Sequence, residues 1–176
     1  MKKILLILIL IFSSQSVFAE MVLFGEAQYN VEKARNEVQQ NIQPKINFLL
    51  IKPHLVDFNR EENLKALLCG QVELKDRDLA LFSIGTYGVV YKHDKLHAYY
   101  YSSSGILEYI DIRSSENYPY KSYQYDVNGN LVNIGLRVSK KEAYIYSPKG
   151  NLIAHWIGSN GYDEKGRIIM TRRFIE

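Results

Sequence analysis

The sequence predicts an α+β fold: two N-terminal helices packed on one face of an antiparallel β-meander of tyrosine-rich hairpin repeats. Three observations point there. Thirteen of the fourteen tyrosines and nine of the eleven glycines lie at or beyond residue 85, so the two halves of the chain are built differently. Apolar residues recur at helical spacing in the first half and alternate from Leu79 onward. One turn motif then recurs four times. The expected organisation is a signal segment over 1–19 and one domain over 20–176, helical over 20–78 and β-hairpin over 79–176.

The N-terminal segment has Lys2 and Lys3, an apolar run from Ile4 to Phe12, polar Ser13 to Ser16, and small residues at Val17 and Ala19. That order is the pattern of a cleavable secretory signal, and the run is far shorter than the roughly 20 residues a spanning helix needs. The expected mature product starts at Glu20, is secreted or periplasmic, and keeps no membrane anchor. The single cysteine, Cys69, lies fifty residues past Ala19, which argues against a lipid-anchored product. Losing Lys2 and Lys3 lowers the net charge from +3 to +1, and no run of Lys or Arg exceeds two, so nucleic acid is not an implied partner.

The elements follow in order. Asn30 suits an N-cap for a helix with Val31, Ala34, Arg35, Val38 and Ile42 on one stripe, ended by Pro44. Ile46 to Ile51, between Pro44 and Pro53, reads as a buried strand or extended connector. Asn59 and Glu62 have capping-box spacing for a second helix with Leu64, Leu67 and Leu68 on its apolar side, and Gly70 stands where a left-handed cap belongs. Cys69, at the end of that apolar face, is expected to be buried.

From Leu79 the expectation is a meander of eight to ten strands. Four turns share one form: Tyr101-Ser102-Ser103-Ser104-Gly105-Ile106-Leu107, Tyr125-Asp126-Val127-Asn128-Gly129-Asn130-Leu131, Tyr146-Ser147-Pro148-Lys149-Gly150-Asn151-Leu152 and Tyr162-Asp163-Glu164-Lys165-Gly166-Arg167-Ile168. Tyrosine ends one strand, Asp or Ser bonds nearby amides, glycine supplies the positive φ, and an aliphatic residue starts the return strand. Tyr91-Lys92-His93-Asp94-Lys95-Leu96 is a shortened copy without the glycine. These units resemble the YD repeats of the RHS family and related short hairpin repeats of bacterial envelope and secreted proteins, over residues 101–174. The resemblance implies stacked hairpins making a curved sheet and brings no catalytic residues with it.

Sites of chemistry are sparse. Asp126 to Asn130 has the first oxygens of a calcium loop, but Leu131 stands where glycine is needed and Arg137 where a bidentate glutamate belongs. His93 and His97 are four apart in a non-helical stretch without an accompanying glutamate, so no metal site is expected. His54 and His155 are single, and His155 is expected to face away from the core. Asp76, Asp78, Glu61 and Glu62 read as turn and helix-start residues. No cofactor is implied, and no nucleophile or phosphate loop is recognisable.

The aromatic surface remains. Tyr99, Tyr100 and Tyr101 put rings on both faces of a strand, as does the run Tyr118, Tyr120, Tyr123 and Tyr125. Tyr99, Tyr101, Tyr123 and Tyr125 form the candidate binding face, beside the plainer reading of cross-strand ladders that stabilise the sheet. The functional expectation is a non-enzymatic binding module for an envelope protein or glycan. The alternatives are a structural subunit of a surface assembly joined through sheet edges, and an enzyme with an unrecognised site.

Overall fold

Helix α1 spans Val31–Gln39, and the Asn30 side chain caps it by accepting from Lys33 N at 2.8 Å. Its buried residues, Ala34 and Val38, lie on the expected stripe. In this computed structural model the described residues are 29–40, 42–83 and 85–172. The expected signal segment and its cleavage point lie outside them. Helix α2 spans Arg60–Leu68. The sheet follows as β1 (Arg77–Ser83), β2 (Thr86–Tyr91), β3 (Asp94–Ser102), β4 (Leu107–Arg113), β5 (Tyr120–Asp126), β6 (Leu131–Arg137), β7 (Glu142–Tyr146), β8 (Leu152–Ile157), β9 (Asn160–Tyr162) and β10 (Ile168–Thr171). Spatial order equals sequence order, and every pairing is antiparallel. The chain is an α+β meander whose helices come first.

The four repeated turns share one geometry. Gly105, Gly129, Gly150 and Gly166 each have φ between +74° and +82°. Each donates its N–H to the carbonyl three residues earlier, at Ser102, Asp126, Ser147 and Asp163. Those four residues in turn donate to the carbonyl four positions ahead, which leaves one extra residue on the return strand and a bulge beside the tyrosine. The shortened copy also turns a hairpin, with Tyr91 opposite Asp94 across Lys92 and His93.

Pairing across the sheet fixes its two faces. Val89, Tyr99, Ile110 and Tyr125 stand side by side, as do Tyr123, Ile134 and Tyr146. This face meets the N-terminal layer. Ala34 and Val38 of α1 pack on Ile134, Leu136, Tyr144 and Tyr146, while Ile46, Ile51 and Ala66 pack on Tyr87, Val89, Tyr99 and Tyr101. Tyrosine hydroxyls fasten the two layers: Tyr144 donates to Tyr29 O at 3.0 Å, Tyr146 to Val31 O at 2.5 Å and Tyr125 to Gln43 O at 2.9 Å. Loop backbone meets the hairpin tips in the same way, through Ile46 N to Gly129 O and Asp57 N to Gly105 O.

Four local expectations differ from the structure. Residues Phe48–Leu50 form a 3-10 turn, not a strand, because Asn47 caps Leu49 N and only Ile46 and Ile51 reach the core. The side chain of Asn59 makes no cap bond. Asp57 Oδ1 takes Asn59 N instead, and Glu62 turns to Arg77. Leu68 and Cys69 are exposed, because Asn63 and Ala66 are the residues α2 turns inward. Gly70 does take the left-handed conformation, at φ +73°.

Candidate functional site

The candidate face of Tyr99, Tyr101, Tyr123 and Tyr125 is corrected by burial. Tyr99, Tyr101 and Tyr125 are 4, 1 and 2 % exposed, and Tyr123 is half-buried with its hydroxyl donating to Gln40 O at 3.4 Å. Burial raises the Tyr99 phenol to about 12. Strand alternation puts odd-numbered and even-numbered tyrosines of β3 on opposite faces, and the helices cover the odd side. The missing information was which side that is.

The other face bears the uncommitted chemistry. Among the described residues the recorded helix packing is on the tyrosine face, and the second face is helix-free. Three rows cross it. Ala98, Asp111, Gln124 and Asn133 are aligned on β3 to β6. Arg113, Ser122, Gly135, Ile145 and Ala154 are aligned on β4 to β8. Tyr120, Arg137, Ala143, Trp156 and Gly161 are aligned on β5 to β9. Small residues in the last two rows leave the long side chains room to lie down, and Arg113, Arg137 and Trp156 are half-buried.

Aromatic rings hold the cations in place. The Arg113 guanidinium carbon lies 5.5 Å from the Tyr120 ring centroid, and that of Arg172 lies 4.5 Å from the Trp156 centroid. Arg172 also donates from Nε to Gly158 O at 3.2 Å. Arg113 reaches Lys95 O at 3.4 Å and Arg137 reaches Lys140 O at 3.3 Å, while among the described residues the buried Nε of each finds no acceptor. Beside them, Asn133 donates to Gln124 Oε1 at 2.6 Å. The carboxyl of Asp111 is raised to about 6 because burial penalises its charge, with Arg113 and Arg137 pulling the other way. At the β1 edge the same face has a hollow of about 110 Å³, lined by Ala80, Gly88, Ala98, Phe82, Tyr100 and Arg113 among others. Gly88 lets the Phe82 ring lie against the strand: a Cβ there would come within 2.6 Å of the ring, which would have to shift.

The histidines are occupied elsewhere. His54 stacks on Tyr99 with centroids 3.8 Å apart, and burial lowers its pKa. His97 pairs with Asp94 at 2.8 Å. His155 lies on the helix-covered face, contrary to expectation, stacked on Tyr144 at 3.9 Å with Glu142 3.0 Å from Nε2, and Trp156 is the residue that faces away. Burial lowers the His155 pKa against the raising effect of Glu142. Among the described residues no three His, Cys, Asp or Glu side chains converge as a metal site needs. Asp126 spends its carboxylate on Asn128 N, Asn130 N and Asn130 Nδ2.

A buried polar cluster went unread in the sequence. Asp57 Oδ2 accepts from Asn63 Nδ2 at 2.6 Å and from Tyr87 OH at 2.7 Å, and Asn63 Oδ1 accepts from Arg77 Nε at 2.7 Å. Glu62 and Asp76 complete the Arg77 shell at 2.7 and 2.6 Å. These residues share no spacing rule, so only the fold unites them. The arginines of the helix-free face did leave a signal: Arg113 and Arg137 stand one position off the apolar alternation Ile110–Ile112 and Ile134–Leu136 of their strands. No helix of the described residues is long and apolar enough to cross a membrane. The chain matches no protein-family model, no curated protein and no solved structure, so a function for it has to come from its own residues.

Proposed function

We propose that this chain is an exported, non-enzymatic binding module that holds an envelope protein or glycan on the helix-free face of its sheet. The observation behind this reading is the asymmetry of the sheet. One face is saturated by the N-terminal layer, with tyrosine hydroxyls spent on backbone carbonyls. The other displays arginine, amide, hydroxyl and indole groups across β4 to β8, and among the described residues no helix packs on it. Rigid strands hold such groups at fixed spacings, which limits the entropy lost on binding. The shared geometry of the four hairpin turns supports a YD-like repeat scaffold, a frame that presents a surface and does no chemistry. Among the described residues the hollow at the β1 edge is mostly apolar, with Asp78 and Arg113 as its charged lining residues.

The test is capture of crosslinked envelope fractions by the purified protein and by Asn133→Ala and Trp156→Ala variants. Loss of one defined component in the variants, at unchanged unfolding temperature, is the expected result. Capture that survives both substitutions would move binding off this face.

A further inference from the structure

We propose that the turn Phe48–Leu50 is a membrane-docking tip, which sets its apolar side chains into an anionic lipid surface while Lys45 and Lys52 meet the headgroups. The turn stands in the connector between α1 and α2, and Phe48, Leu49 and Leu50 are 46, 67 and 51 % exposed. Ile46 and Ile51 on either side are buried and fix the turn to the tyrosine face of the sheet, so this surface is independent of the helix-free face. The exposed tip therefore stands on a fixed base. Exposure continues along the connector at Val56 and at Phe58, which is 92 % exposed, and Ile106 pairs with Val56 from the β3–β4 hairpin. So much uncovered apolar surface on one short segment marks an interaction site.

Geometry, backbone and charge favour lipid over a protein partner. A 3-10 turn advances about 120° per residue, so its three side chains fan out in different directions. A fluid acyl boundary accepts such a tip, whereas a protein partner needs a surface moulded to it. Phe48, one turn before the buried Ile51, is the least exposed of the three and Leu49 the most, which makes Leu49 the apex. The backbone of the tip is already satisfied: Leu49 N donates to Asn47 Oδ1 at 3.0 Å, Leu50 N to Asn47 O at 3.0 Å and Ile51 N to Phe48 O at 2.9 Å. Those amides lose no partner when water leaves, as an apolar medium requires. The charge has one sign. From Lys45 to Arg60 the cations are Lys45, Lys52 and Arg60, and the one acid, Asp57, is buried and accepts from Asn63, Tyr87 and Asn59. Lys45 and Lys52 are exposed, and their stems are long enough to keep the ammonium groups among headgroups while the leucines sink. The opposing charges are Glu61, beside Arg60, and Asp126, near Lys45 but held by Asn128 and Asn130. A tip this short gives reversible, peripheral attachment.

The experiment is fluorescence of the purified Leu49→Trp variant titrated with vesicles of phosphatidylglycerol and phosphatidylethanolamine, beside vesicles of phosphatidylcholine alone. The wild type, whose single indole is Trp156, gives the baseline. With the anionic vesicles the new emission should move to the blue and be quenched by brominated acyl chains, and with phosphatidylcholine it should hardly change. Because the reporter sits on the turn, attachment through any other part of the chain leaves it unquenched and overturns the proposal. In cosedimentation with the anionic vesicles, Leu49→Ser should bind about tenfold more weakly, from the apolar area withdrawn. Lys45→Gln and Lys52→Gln should each lose about fivefold, and wild-type affinity should fall as salt rises. All three side chains are exposed, so thermal unfolding should be unchanged in these variants. Equal binding to both kinds of vesicle, unmoved by salt, overturns the anionic surface, and no blue shift with either overturns docking to lipid. A blue shift of Leu49→Trp that grows with protein concentration without vesicles, alongside a dimer in ultracentrifugation, gives the turn to a second copy of this chain and overturns the proposal.

Discussion

Arg77 donates from Nε to the side-chain oxygen of Asn63 at 2.7 Å, and both residues are all but excluded from solvent. Asn63 is the hinge of the cluster, because its amide also donates to Asp57. Replacing it with Leu fills the space but leaves the buried Arg77 Nε without its acceptor and strips one of the donors from Asp57, which keeps Tyr87 and Asn59 N. Asn63→Leu should lose about 3 kcal/mol of unfolding free energy, read by urea denaturation. A loss below about 1 kcal/mol would mean that water replaces the amide.

Tyr101→Ala should destabilise the fold and not act as a clean binding mutation. Its ring is 1 % exposed and stacked on Tyr87 at a centroid distance of 5.6 Å. Emptying that volume costs about 4 kcal/mol, and calorimetry should show the fall directly. Trp156→Ala, on the helix-free face, should cost clearly less.

The repeated turns should differ in tolerance. Gly129 has φ +79°, and a Cβ there would sit 2.7 Å from Ile46 O, whereas at Gly166, φ +74°, a Cβ meets open space. Gly166→Ala pays backbone strain alone, about 1 kcal/mol. Gly129→Ala also pushes the loop at Ile46 off the hairpin tip, and should cost at least twice as much in thermal unfolding.

Asp111 should make stability depend on pH in a known direction. Its folded pKa, about 6, lies above the unfolded value of 3.8, so the folded state holds the proton more tightly. The stabilisation from that proton is complete below the unfolded value and is lost as pH rises through about 6. Asp111→Asn should remove this slope between pH 4 and 6, measured as unfolding free energy against pH.

Cys69 is exposed at the end of α2. A thiol-specific reagent should therefore label it fully in the native protein without denaturant. Labelling only after unfolding would place the thiol inside.

The strands and turns were legible in the sequence because each is local. Tyrosine and glycine four apart, with positive φ at the glycine, close a hairpin whatever surrounds it, and all four turns form where that spacing falls. Asn30 likewise caps α1 from its own neighbours. Alternation also fixed that Tyr99 and Tyr101 share one face and Tyr100 the other.

Which face is inside was decided only by tertiary structure. A strand of tyrosines is apolar enough on both sides to be covered on either, so parity alone cannot choose. The N-terminal layer chose by docking α1 and Ile51 on the Tyr99 side, where tyrosine hydroxyls meet its backbone carbonyls. That docking buried the rings expected to bind and left Arg113, Arg137 and Trp156 on the helix-free side. The cluster of Asp57, Asn63, Arg77 and Tyr87 exists for the same reason. Its members are up to thirty residues apart and gain their hydrogen bonds only when a helix and two strands meet in the absence of water.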